Sequence, residues 1–328
     1  MGKRLNLLLI VTLSKHHMRI LGRVNLGFGF IIILLAASCV KPTNHFQLAQ
    51  QNWNEKDYLG AIIELNTCIS KEDKRDSIYL LRARCYQKIQ KPILALDDYK
   101  RVMEINPNWA EARLEMSRIQ LIQKDTVNAG SSFRILHSNS NKRIASDSWI
   151  ETGRLHYFSD QFPSAINALN HAVKSDSLNY MAWYYRGLLF SRFFTPEGET
   201  GIANYPFLDF DLAIRDFTKS IDLQADFADA WYQRAEVRFN MFDDSTGLRD
   251  INEAIRLEPK YSYYYSARAH QHVLKGRMQA ALNDYNKSIS LNQNDPDAFL
   301  GRAETYHKLG MHKEAKRDSL AARNLVVK

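Results

Sequence analysis

Apolar residues recur along this chain at three- and four-residue spacing, in runs that come in pairs. Tyr79, Ala83 and Tyr86 form one run, and Ala95, Tyr99 and Val102 form the next. Such spacing predicts two amphipathic helices joined by a short turn. The pair returns about every 34 residues. Small residues mark the first run at Ala49, Ala83, Ser117, Gly153, Gly187, Ala235, Ala269 and Ala303. Twelve positions later, most copies carry a second small residue: Ala61, Ala95, Ala129, Ala165, Gly247, Ala281 and Ala315. Small residues let two helix backbones approach, and larger side chains fill the remaining volume. A lone hairpin cannot bury its own apolar face, so this period predicts hairpins stabilised by stacking on their neighbours.

The units run 42–75, 76–109, 110–145, 146–179, 180–227, 228–261, 262–295 and 296–328. An aromatic stands four residues into six of them, at Tyr79, Trp149, Trp183, Trp231, Tyr265 and Phe299. Large residues recur in the second helix at Leu65, Tyr99, Phe133, Leu169, Phe217, Ile251 and Tyr285, and Pro107 and Pro259 close units. In these positions the chain resembles the tetratricopeptide repeat (TPR) family over almost everything after Cys39. The resemblance implies an all-α fold, a right-handed superhelical solenoid of about eight helix-turn-helix units, whose first helices line a concave groove.

Two positions covary inside the chain. Arg82, Arg186, Arg234, Arg268 and Arg302 precede the small residue of five units, and the same units carry Asp98, Asp216, Asp250, Asp284 and Asp318 in the second helix. The third and fourth units lack both, with Met116 and Ser132, and Thr152 and Ala168. Residues that appear and vanish together predict contact, here an Arg–Asp fork between the helices of a hairpin. A ladder of arginines for an anionic ligand is the competing reading; the matched Asp argues against it.

The family resemblance places the groove at set first-helix positions. Here these include Tyr157, Phe158, Tyr184, Leu188, Arg192, Tyr232, Phe239, Tyr263 and His270. A Tyr-rich trough with scattered charge suits an extended peptide or an amphipathic helix. The Lys and Asn combination with which some family members clamp a terminal carboxylate is absent from these positions. The fifth unit carries an insertion, 194–208, that holds Tyr205 and Phe207; the second helix resumes at Ala213. The insertion reads either as a binding loop or as a tolerated loop packed on itself.

Charge changes the picture little. The chain has 44 Lys and Arg against 36 Asp and Glu. Lys3, Arg4, Lys15, Arg19 and Arg23 precede Cys39 and no acid occurs before Glu55, so the remainder is near neutral and no nucleic-acid partner is implied. The basic flank Arg19–Arg23, the apolar run Leu26–Ala37 and Ser38-Cys39 read as an export signal, with Met18 a candidate start. Leu34-Leu35-Ala36-Ala37-Ser38-Cys39 is similar to a bacterial lipobox, with Ala36 where Leu is usual. That similarity implies a signal over 1–39, acylation at Cys39, and a lipid-anchored protein of the bacterial envelope, at the outer membrane and facing the periplasm. The two further cysteines, Cys68 and Cys85, read either as a disulfide or as buried thiols.

No HExxH, Gly-rich phosphate loop or GxSxG occurs, and His270 and His272 diverge on one helix. No catalytic residue, cofactor or metal is therefore expected. The function expected is a non-enzymatic scaffold for protein partners of the envelope. A component of exopolysaccharide export or cell-wall assembly that contacts glycan is the alternative. Leu320, Leu325, Val326 and Val327 leave the last unit without a polar cap, which suggests a homodimer through that end.

Overall fold

The computed structural model describes residues 44–71, 73–191 and 209–326. Among these residues there are sixteen helices and no strand. They are α1 (His45–Asn54), α2 (Tyr58–Ser70), α3 (Asp76–Lys88), α4 (Pro92–Ile105), α5 (Ala110–Ile122), α6 (Thr126–Leu136), α7 (Lys142–Phe158) and α8 (Phe162–Ser175). They continue with α9 (Tyr180–Ser191), α10 (Phe210–Leu223), α11 (Ala228–Asn240), α12 (Asp244–Leu257), α13 (Ser262–Leu274), α14 (Met278–Leu291), α15 (Pro296–Lys308) and α16 (His312–Val326). The chain divides into two compact units, 1–101 and 102–328, with the boundary inside α4. Cys39, Arg192, Tyr205, Phe207 and Val327 lie outside the described residues.

In both units the hairpin forms because small residues meet large ones. Ala83, Ala95 and Tyr99 are fully buried in the first unit, and in the second Ala235 clusters with Ile251, and Ala269 and Ala281 with Tyr285. Gly153 and Gly187 are required by close approach. A Cβ on Gly187 would stand 2.9 Å from Cε1 of Phe217, and one on Gly153 would stand 2.8 Å from Cγ of Leu169.

Every described turn within a hairpin is built alike. A residue with positive φ follows the first helix at Lys56, Gln90, Lys124, Asp160, Phe242, Gly276 and Gly310. The next amide returns to a carbonyl five residues back: Asp57 to Asn52, Lys91 to Tyr86, Asp125 to Gln120, Asp243 to Arg238. This is the Schellman geometry that satisfies the orphan carbonyls of a helix end. Asp57, Asp125 and Asp243 then cap the second helix by accepting the amides of Gly60, Asn128 and Thr246.

The fourth unit departs from the simple boundary at 146. Its first helix starts at Lys142, because the side chain of Asn141 accepts the amides of Arg143 and Ile144. In the first unit Cys68 and Cys85 are free thiols buried in one apolar cluster with Leu65 and Ile78. Burial pushes the Cys85 thiol up to about 12, so it is an inert packing group.

Candidate partner-binding face

The Arg–Asp positions are the most repetitive side-chain structure in the molecule. In the first unit, Arg82 Nε and Nη2 donate to Asp98 at 2.8 and 2.6 Å. In the second, Arg186 meets Asp216 at 2.7 and 2.9 Å, Arg234 meets Asp250 at 2.8 and 2.9 Å, and Arg268 meets Asp284 at 2.8 and 2.7 Å. Arg302 and Asp318 complete the series at 2.6 and 3.0 Å. All five are two-bond forks, the geometry for which a planar guanidinium is suited.

Each fork has two further partners. The remaining Nη1 donates to the second helix of the preceding hairpin: to Asn66, Asn170, Asn252 and Asn286, and to the hydroxyl of Thr218. The guanidinium also lies over the aromatic three residues earlier, with Tyr79, Trp183, Trp231, Tyr265 and Phe299 at 4.9–5.8 Å. Trp183 and Trp231 in turn donate their indole N–H to the carbonyls of Ser177 and Ala225 in the preceding turn. One arginine therefore joins both helices of its own hairpin to the hairpin before it. The clip engages all three nitrogens of each guanidinium, so these arginines are committed to structure.

Where the clip is missing, other chemistry fills the place. Trp149 of the fourth unit stacks between His137 at 3.4 Å and His171 at 4.6 Å, and His137 contacts the Thr152 hydroxyl at 3.0 Å. Burial, with Arg134 and His171 nearby, lowers the His137 pKa to about 4. Along the first helices α5 and α7, Glu151 is buried and takes Arg118 at 3.0 Å and Arg154 at 2.8 Å.

The first helices also carry the apolar surface. A pocket of about 150 Å³ lies between α7 and α9, walled by Arg154, Tyr157, Phe158, Tyr185, Leu188 and Leu189. Gly153 and Leu169 form its floor. Phe158 is 71% exposed at the rim, with its ring edge against Tyr157. Further along, Tyr263 is 50% exposed and His270 is exposed.

Tyr184, Tyr232 and Phe239 differ from the expectation that they line a groove: they are 9%, 6% and 7% exposed. Tyr184 packs on Phe217 and Phe227, and Tyr232 stacks on Tyr264. Large aromatic residues cover the rings of Tyr184 and Tyr232, and the Phe239 ring lies against Gly247 of its own hairpin. They build the wall, while Phe158 and Tyr263 are exposed and part-buried Leu188 lines the pocket. At the C-terminal end, Leu320 and Val326 are exposed. Among the described residues no helix is long and apolar enough to cross a membrane, and no group of three or more His, Cys, Asp or Glu is placed to hold a metal.

Two family models match the chain, one described as tetratricopeptide repeat over residues 150–192 and one as TPR repeat over 269–310. These two segments match tetratricopeptide repeats. Tetratricopeptide repeat protein 16 of Homo sapiens is 22% identical over 276 residues, covering 79% of this chain and 27% of that protein. The chain spans about a quarter to a third of the length of the curated relatives it matches first. Among solved structures, the APC/C hetero-tetramer Cut9-Hcn1 aligns with a TM-score of 0.59 at 12% identity, over 74% of this chain and 45% of that one. A tetratricopeptide repeat protein from Parabacteroides merdae aligns with a TM-score of 0.53 at 17% identity, over 76% and 93%. These similarities show the fold. Tetratricopeptide-repeat proteins generally act as protein-interaction scaffolds.

Proposed function

We propose that this protein is a non-enzymatic scaffold that holds a peptide or helical segment of a partner on the first-helix face of its TPR array, in the region of α7 to α13. The observation that carries the reading is the apolar pocket with Phe158 exposed at its rim. The lining is apolar apart from Arg154 and the tyrosine hydroxyls, and a pocket of this size accepts one large aliphatic or aromatic side chain. The Arg–Asp clips support the reading indirectly, since they leave the scaffold rigid and the first-helix face unencumbered.

Photo-reactive residues at Phe158 and Tyr263 test it in cells, with Asn283 on a second helix as control. The expected result is one adduct from the two first-helix sites, lost when Leu188 is changed to Asp, and none from Asn283. Equal labelling at all three sites contradicts the proposal. An adduct that resists protease and is removed by glycosidase supports the polysaccharide reading instead.

The proposed place of work is the bacterial envelope, through acylation of Cys39. The sequence Leu34–Cys39 supports it. Cys39→Ala is expected to move the protein from the membrane fraction to the soluble fraction, and an unchanged distribution contradicts the anchor.

A further inference from the structure

The part-buried and buried carboxylates on the first helices of the second unit are matched one by one. Glu115 takes Arg118 at 2.7 Å, and Glu151 takes Arg118 and Arg154. Asp147 takes the Asn179 amide at 2.7 Å, and Asp229 takes the Tyr264 hydroxyl at 2.6 Å. Glu236, on α11, is also part-buried, yet it has neither an ion pair nor a hydrogen bond among the described residues. It stands one helical turn from Tyr232, on the same face of α11. The Tyr232 ring meets Tyr263 edge-on at 5.4 Å, and Tyr263 is half-exposed.

An isolated carboxylate beside aromatic rings lacks one partner, a cation. The geometry points to Glu236, one turn from Tyr232 whose ring meets the half-exposed Tyr263, as the receptor for a lysine or arginine side chain of the segment bound on the first-helix face. A carboxylate supplies the charge, and the half-exposed ring of Tyr263 suits the methylene stem and the head group together. The occupant is cationic because the site carries a single unmatched negative charge, while the nearby pocket at Phe158 is apolar. The inference rests on the scaffold reading above and adds a charge to its partner: an apolar anchor accompanied by a basic residue. Burial pushes the Glu236 carboxyl up to about 7, as expected for a group left without a counter-charge in the free protein.

A random twelve-residue peptide library on phage, panned against the full chain in detergent, tests this. The expected clones combine a large apolar residue with a Lys or Arg at fixed separation. A synthetic peptide from the dominant clone should bind Glu236→Gln about tenfold more weakly than the parent. The same variant should melt no lower than the parent at pH 8, since it removes a buried charge that nothing in the protein balances. Clones without a basic preference, or equal affinity for Glu236→Gln, overturn the inference and leave the scaffold reading intact. A lowered melting temperature in Glu236→Gln shows a cation within the chain already paired to this carboxylate, and also overturns it. Selected peptides whose affinity is unchanged by Leu188→Asp and Tyr263→Ser contradict the scaffold reading itself.

Discussion

Phe242 sits in the left-handed region at φ 60° and is 88% exposed, at the turn where Gly276 and Gly310 stand in later hairpins. A Cβ costs roughly 1 kcal/mol in that conformation, and no core contact offsets it for a side chain so exposed. Phe242→Gly is expected to raise stability by about 1 kcal/mol, read from urea midpoints. His137 works in the opposite sense. Its pKa is lowered from the usual 6.5 to about 4, so the unfolded chain takes up the proton first as pH falls. The stability that depends on the neutral ring is complete above pH 6.5 and is lost as pH drops through 4. The loss should be on the order of 1–2 kcal/mol after allowance for solvent screening. His137→Phe, which keeps a stacking ring for Trp149, should flatten that slope in thermal melts between pH 6.5 and 4. Neither residue stood out in the sequence, because the φ of a turn and the burial of a histidine depend on the backbone around them.

At the scale of the hairpin, much was legible in the chain alone. A 34-residue recurrence of small and large residues is enough to place helix pairs, and the recurring residues Ala83, Ala95 and Tyr99 are all fully buried. The partnership of Arg82 with Asp98 could be read from their joint presence in five units. The third ligand of each clip could not. Asn66, Asn170, Asn252 and Asn286 each belong to the preceding unit, so a reading unit by unit never sets them beside the arginine they serve. The groove was less legible. First-helix periodicity marks which residues turn inward, yet Tyr184 is covered by Phe227, at the entry to the next hairpin, and Tyr232 by Tyr264 of the next hairpin. The clip predicts a large mutational effect. Asp216→Ala leaves the Arg186 guanidinium part-buried without its fork and should cost about 3 kcal/mol. Arg186→Lys should also destabilise, since an ammonium cannot span Asp216 and Asn170 together. Denaturant unfolding of both variants checks the pair.

At the scale of the molecule, the array assigns different tasks to its two kinds of helix. The clips sit where first and second helices meet and join consecutive hairpins within the second unit, so rigidity is built away from the exposed part of the first-helix face. That face holds the apolar pocket beneath Phe158, the half-exposed ring of Tyr263 and the unmatched carboxylate of Glu236. The central claim is that this face is covered when the protein is at work. Hydroxyl-radical footprinting of the purified protein and of intact cells measures it most directly. Phe158 and Tyr263 should oxidise readily in the purified protein and be protected several-fold in cells, while Phe242 reacts equally in both. Equal oxidation of Phe158 and Tyr263 in the two samples, with protection appearing at Phe242 instead, would contradict the account.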